Sequence, residues 1–165
     1  MFKVSFKEDY KKVQTFNDKA TLVTLTGELK MPREIWNVFP ESITRWIWEH
    51  QGVDVRWKNS TKRQEELTIE IVGKSICADG DAFNQEIGQR IAESRAKIKL
   101  FRFMLTLCKK LMKYYYSFMY GNAELNYFVE SHIEKPKDGL YLTYTKYTEL
   151  YFNEFAHLNN LLEEE

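Results

Sequence analysis

Long hydrophobic runs are missing from this 165-residue sequence. No uninterrupted apolar stretch approaches the roughly 18 residues of a membrane-crossing helix, and no apolar segment follows a basic start at the N-terminus. The expectation is a cytoplasmic chain with no membrane partner. Cysteine is scarce. Cys77 and Cys108 sit among apolar neighbours and read as reduced core residues, since two cysteines make no disulfide framework. Charge of one sign is not in excess either: 24 basic residues balance 24 acidic ones, which argues against the overall basic surplus common in nucleic-acid-binding domains.

Catalytic signatures are absent as well. There is no GxxxxGK[ST], no HExxH, and no Ser-His-Asp order with an elbow glycine, and the three histidines fall on different segments. No catalytic residue, metal or cofactor is therefore expected. Cys77, Asp79 and Asp81 lack a histidine or further cysteine at ligand spacing and read as a turn and a helix cap. Asp54, Glu70 and Lys74 form a trio that a nuclease would use, yet on a hairpin they read as a solvated cross-strand set. His50 shares an apolar helical face and His132 lies near an exposed one, and neither has a companion ligand.

Proline is rare, and the stretch Asp81 to Tyr120 has none; its one internal glycine is Gly88. That stretch predicts a single long helix, about 60 Å at 1.5 Å per residue. At 100° per residue, Phe83, Ile87, Ile91, Ile98, Phe101, Leu105, Cys108, Met112, Tyr116 and Met119 form one stripe, expected to face the core. From Leu100 a second apolar set appears, so the second half must be buried on two sides. Within that set Phe103, Leu107, Leu111, Tyr114, Tyr115 and Phe118 are the candidate protein interface. What polarity remains is a basic strip, Arg95, Lys99, Arg102, Lys109, Lys110 and Lys113, the candidate ridge for nucleic acid or another acidic partner. The helix carries eight basic and three acidic residues, whereas residues 121 to 165 carry three and nine, so the acidic tail is expected to fold back along the basic strip.

The remaining segments are shorter. Residues 1 to 19 read as a short edge strand and a loop, and Ala20 to Lys30 as a strand interrupted at Gly27. A turn after Pro32 precedes a helix after Pro40 bearing Ile43, Trp46 and Ile47. Val53, Val55 and Trp57 alternate with Asp54, Arg56 and Lys58, and Leu67, Ile69 and Ile71 alternate with Thr68 and Glu70, which predicts an antiparallel hairpin around NSTKRQ. Leu125, Phe128, Val129 and Ile133 predict a short helix ended at Lys135-Pro136; YLTYTKY is ambiguous; a last helix runs from Thr145. The predicted class is α+β: a small antiparallel sheet packed on a long central helix, with additional C-terminal helices. Residues 1 to 120 would form the domain and 121 to 165 a helical extension on the long helix.

The hairpin of residues 53 onward followed by Gly73, Cys77, Asp81, Phe83, Ile87, Gly88, Ala92, Arg95 and Ala96 resembles a set of small, mostly phage or prophage-type proteins of unknown function with a fold similar to the double-stranded RNA-binding domain. The resemblance covers residues 53 to 96. RNA binding by the route of those domains is not implied, because the helix opens with Asp81, Asn84 and Glu86 where they carry a lysine cluster. A two-sided apolar helix calls for a partner, most cheaply a second copy, so a homodimer is expected. The resemblance adds that such a non-enzymatic accessory protein would act on an unidentified protein partner, for example as an inhibitor of a host defence system. Nucleic-acid binding by the ridge is the alternative.

Overall fold

The computed structural model describes residues 4–33, 36, 41–49, 52–80, 82, 84–120 and 134–163, without the side chains of 115–120 and 134–138. It is an α+β structure. Four antiparallel strands, β1 (Ser5–Phe16), β2 (Ala20–Pro32), β3 (Val53–Ser60) and β4 (Gln64–Ile76), are ordered β1-β2-β4-β3. Three helices accompany them: α1 (Glu41–Glu49), α2 (Gln85–Tyr120) and α3 (Glu134–Glu163).

Alternation decides which face of the sheet is buried. On β2 and β4 the odd positions Val23, Leu25, Leu29, Leu67, Ile69 and Ile71 are buried, and α2 lies across them. The hairpin read at residues 53 to 76 is present, with Val55 opposite Ile69 and Asp54 opposite Glu70. β1 is longer than its sequence pattern suggested. Asn17 and Asp18 both take a positive φ of 49°, and the Phe16 carbonyl accepts from Lys19 N–H at 3.0 Å, so an Asn-Asp turn with two left-handed residues sends the chain straight back into β2. Helix α1 buries Ile43 and Ile47, as its spacing predicted, and stacks Trp46 on Phe103 at 5.2 Å. Of its predicted face, His50 lies outside the described residues.

The long helix starts at Gln85. Its N-cap is Asn84, whose Oδ1 accepts from Glu86 N–H at 3.1 Å and Ile87 N–H at 3.2 Å. The capping role expected of Asp81 and the seam position of Phe83 lie outside the described residues, as do the side chains of Tyr116 and Met119 and the segment 121–133 with His132. Two-sided burial of α2 is present, and both sides are met within the same chain. The sheet takes Ala92, Ala96, Leu100, Phe103, Leu107 and Leu111, all buried in one cluster with the strands. The stripe expected to face that core instead packs partly on α3: Ile91, with Ile87 and Ile98 beside it, meets Leu158 and Leu161, and Phe101 meets Tyr147 with ring centroids 6.0 Å apart.

Helix α3 corrects the sequence reading of the C-terminal part. Pro136 sits in its first turn, where the missing N–H has no intrahelical acceptor, so a helix runs through the Lys135-Pro136 step; the short helix expected before it lies outside the described residues. YLTYTKY is helical. Its threonines return their hydroxyls to the helix: Thr143 Oγ1 lies 3.0 Å from the Gly139 carbonyl, Thr145 Oγ1 3.0 Å from Tyr141 O and Thr148 Oγ1 2.8 Å from Tyr144 O. Among the described residues this is one 30-residue helix.

Candidate functional site

The basic strip comes first because it was the most specific sequence feature. Position 95 reaches over the end of β4, where Arg95 Nη1 donates to the Lys74 carbonyl at 2.8 Å; one turn on, Lys99 Nζ donates to the Val72 carbonyl at 2.6 Å. The pairing of β3 with β4 stops at Val53 opposite Ile71, so both carbonyls lie beyond the reach of the β3 ladder. The two cations therefore supply donors that a longer β3 would have supplied. Further along, Lys109 Nζ stands 5.8 Å from the Tyr144 ring centroid and Lys110 Nζ 5.4 Å from that of Trp46. Arg102, Lys109 and Lys113 are exposed. Of the six residues of the strip, two are thus bound to the sheet, two stand over aromatic rings, and Arg102 and Lys113 are exposed.

α3 packs along α2 through apolar side chains. Of the nine acidic residues of 121 to 165, only Glu149, Glu154 and Glu163 have described side chains, and none of these three forms an ion pair with the strip; the rest of the expected pairing of acidic tail with basic strip lies outside the described residues. The ion pairs of α2 lie elsewhere: Glu93 meets Lys11 of β1 at 2.7 Å and Lys97 at 3.0 Å. Burial pushes the Glu93 carboxyl up, but hydrogen bonds from Lys11 and Lys97 outweigh it and hold the group below its ordinary range.

The candidate interface residues divide as well. Phe103, Leu107 and Leu111 have no exposed surface at all, being core residues between α2 and the sheet, and are closed to any partner. Tyr114 is half-buried against the same cluster. The side chains of Tyr115 and Phe118 lie outside the described residues.

Exposed apolar surface is found elsewhere, and among the described residues five of the ten large exposed apolar side chains are on α3. Positions 141, 145, 148, 152, 155, 159 and 162 recur at spacings of four and three, which puts them on one face. They are Tyr141, Thr145, Thr148, Phe152, Phe155, Asn159 and Leu162, and of these Tyr141 is 60% exposed, Phe152 65% and Phe155 46%. Tyr151 fills the flank, stacked on Phe155 at 6.2 Å and edge-on to Phe152 at 5.6 Å. The opposite face of the helix, Leu140, Thr143, Tyr147, Leu158 and Leu161, is buried. The helical spacing of Tyr147, Leu150, Tyr151, Phe155, Leu158 and Leu162 predicts one seam, but the structure buries Tyr147 and Leu158 and leaves Phe155 and Leu162 exposed. The exposed set extends back to Tyr141 and includes Phe152. It was obscured by reading residues 139 to 145 as ambiguous. Smaller exposed groups are Trp48 and Trp57 near α1 and β3, and Tyr10, Phe16 and Ile76 on the sheet.

Acid–base or metal chemistry has little to work with among the described residues. Asp54 and Glu70 are direct cross-strand neighbours, but the Asp54 carboxylate is held by Arg56 at 2.6 Å. No group of three His, Cys, Asp or Glu side chains that could hold a metal occurs among the described residues. Neither Cys77 nor Cys108 is in a disulfide, and burial pushes Cys108 up to about 12, far from a reactive thiolate. A pocket of ≈180 Å³ between the start of β1 and α3 is lined by Val4, Ser5, Thr143, Lys146 and Tyr147, with Lys146 its one charged group. No helix among the described residues is long and apolar enough to cross a membrane.

No family model matches the sequence, and no curated protein or solved structure matches it.

Proposed function

We propose that this protein works without catalysis, by binding another protein through the outward aromatic face of α3. The observation that carries the reading is the two-sided apolarity of that helix: one face is consumed by α2, while Tyr141, Phe152 and Phe155 stand in solvent on the other. Large rigid aromatic groups gathered on one helical face are the usual anchors of a protein interface, and a soluble chain gains nothing from exposing them alone. The nucleic-acid reading is the weaker one, since Arg95 and Lys99 are engaged with the sheet and Lys109 and Lys110 lie on aromatic rings. Cys77 and Cys108 outside any disulfide suit a reducing compartment such as the cytoplasm. The narrower reading, an accessory protein of phage type that occludes a component of a host defence system, rests on the resemblance of residues 53 to 96 alone.

The test is a photo-crosslinking amino acid placed at Asn159, between Phe155 and Leu162, in cells. A discrete adduct with a different protein is expected, and it should disappear with Phe152→Glu combined with Phe155→Glu. Absence of any such adduct would overturn the reading. So would a nucleic-acid mobility shift at low salt that the double substitution leaves intact while Arg102→Ala with Lys109→Ala abolishes it.

A further inference from the structure

No described strand pairs with the outer edge of β1; α3 meets the start of that edge, where the Phe6 N–H donates to Tyr147 and the Val4 carbonyl accepts from Thr143 Oγ1 at 3.3 Å. The halves of the edge differ. A bulge between Glu8 and Tyr10 breaks the register on β2, and the charged Lys7, Glu8 and Asp9 crowd that end, which together bar strand addition there. From Tyr10 to Phe16 the register is unbroken, seven residues facing Thr26 to Ala20. Phe16 directs its carbonyl inward to Lys19 N–H. Backbone direction alternates along a strand, so Tyr10, Lys12 and Gln14 also face β2, and the N–H and C=O groups of Lys11, Val13 and Thr15 point out from the edge.

An extended strand is the chemistry that such an edge recognises, and the side chains say which one. Antiparallel pairing of this segment with its own copy about a two-fold axis at Val13 sets Tyr10 opposite Phe16, Lys12 opposite Gln14 and Lys11 opposite Thr15. Tyr10 and Phe16, 56% and 46% exposed, lie on the face of the sheet turned away from α2 and would cover each other in two symmetric cross-strand pairs. Neither lysine meets a like charge. Centring the axis on Lys11 or Lys12 instead sets a lysine against itself, and centring it on Gln14 sets Lys12 against Phe16 and carries Tyr10 past the strand end. Lys11 is also drawn off the edge toward α2 by Glu93, at 2.7 Å.

We propose that two copies of this chain associate through β1, antiparallel about Val13, joining their sheets edge to edge with about six backbone hydrogen bonds, two for each outward-facing pair. This surface is separate from the face of α3, so a dimer leaves that face open to a different protein.

Amide hydrogen exchange of the full chain tests it. Among Tyr10 to Phe16, the inward amides of Lys12 and Gln14 are protected at every concentration. Those of Lys11, Val13 and Thr15 should pass from fast to slow exchange as the protein is concentrated roughly a hundredfold, in step with a monomer–dimer shift by sedimentation. Val13→Pro removes the central outward N–H, a change an edge strand tolerates, and should leave a folded monomer. Phe16→Lys, which leaves the backbone untouched, should weaken the dimer at least tenfold through loss of both aromatic pairs. Exchange of Lys11, Val13 and Thr15 that ignores concentration would overturn the proposal, as would a dimer that survives both variants. A dimer abolished by Phe152→Glu and unaffected by Phe16→Lys would overturn it too and move self-association to α3.

Discussion

Gly73 of β4 lies directly beneath Ala92 of α2: a Cβ at Gly73 would overlap the Ala92 carbonyl oxygen and fall 2.6 Å from Ala96 N. The contact is backbone on backbone, so no side chain can turn aside. It sets the distance at which the long helix rides on the sheet, and the absence of side chains larger than methyl at 92 and 96 is the other half of the same fit. Gly73→Ala is expected to lift α2 and cost about 3 kcal/mol, the upper range for overpacking. Urea denaturation measures it, and a loss below about 0.5 kcal/mol would mean that the helix is not held there.

The two apolar aromatics Phe103 and Phe152 should behave oppositely. Phe103 is fully buried and stacked on Trp46, so Phe103→Ala should cost about 3–5 kcal/mol. Phe152 is 65% exposed, and Phe152→Ala should stay within about 0.5 kcal/mol of the parent. Denaturant midpoints of the two variants check the placement of the core, and similar losses would contradict it.

Arg95 and Lys99 are structural donors to β4. Arg95→Ala and Lys99→Ala should each lower stability by about 1 kcal/mol, the net worth of a partly solvated hydrogen bond. Arg102→Ala, whose side chain is exposed, should change little. Thermal unfolding of the three variants separates these cases, and equal effects would leave the strip without a division of roles.

Alkali should unfold the protein through two buried groups. Burial pushes the Cys108 thiol and the Tyr147 phenol each up to about 12; at Tyr147 a hydrogen bond donated by the Phe6 backbone N–H opposes this in part. Both groups hold their protons more tightly when folded. Their stabilisation is therefore complete below the unfolded values, roughly 8.5 for Cys and 10 for Tyr, and is lost as the pH rises through the folded ones. Stability should fall from about pH 9 onward, and Cys108→Ala should move the onset toward pH 10, as read by circular dichroism against pH. An onset unmoved by the substitution would assign the transition to other groups.

Glu93 gives the acid counterpart. Its carboxyl is held below its usual range in the folded chain, so its contribution is present at neutral pH and is lost as the pH falls below about 4.3 through the folded value. Glu93→Gln should lower stability at pH 7 and flatten the dependence below pH 4.5. A variant as acid-sensitive as the parent would show that the pairs with Lys11 and Lys97 carry no linkage.

Much of this architecture could be read before any coordinates. The hairpin of β3 and β4 follows from clean alternation, the long helix from the lack of proline after Asp81, and its close seat on the sheet from the small residues Gly88, Ala92 and Ala96. The Asn17-Asp18 turn was equally local, yet the charges of Lys7 to Lys12 hid the strand before it, because an edge strand has little apolar alternation to show. The start of α3 was hidden for another reason: threonine and tyrosine favour strands on average, and here Thr143, Thr145 and Thr148 turn their hydroxyls back to helix carbonyls while Tyr147 is buried.

What the sequence by itself determined, then, is the element types, the antiparallel sheet, and the need of the long helix for cover on two sides. Which surface meets which was decided by tertiary structure alone. A helix that is apolar all round specifies burial without direction, so Phe103, Leu107 and Leu111 were as credible for a partner as for the core until the sheet took them. With α3 placed against α2, the outward face of α3 was left carrying Tyr141, Phe152 and Phe155 in solvent.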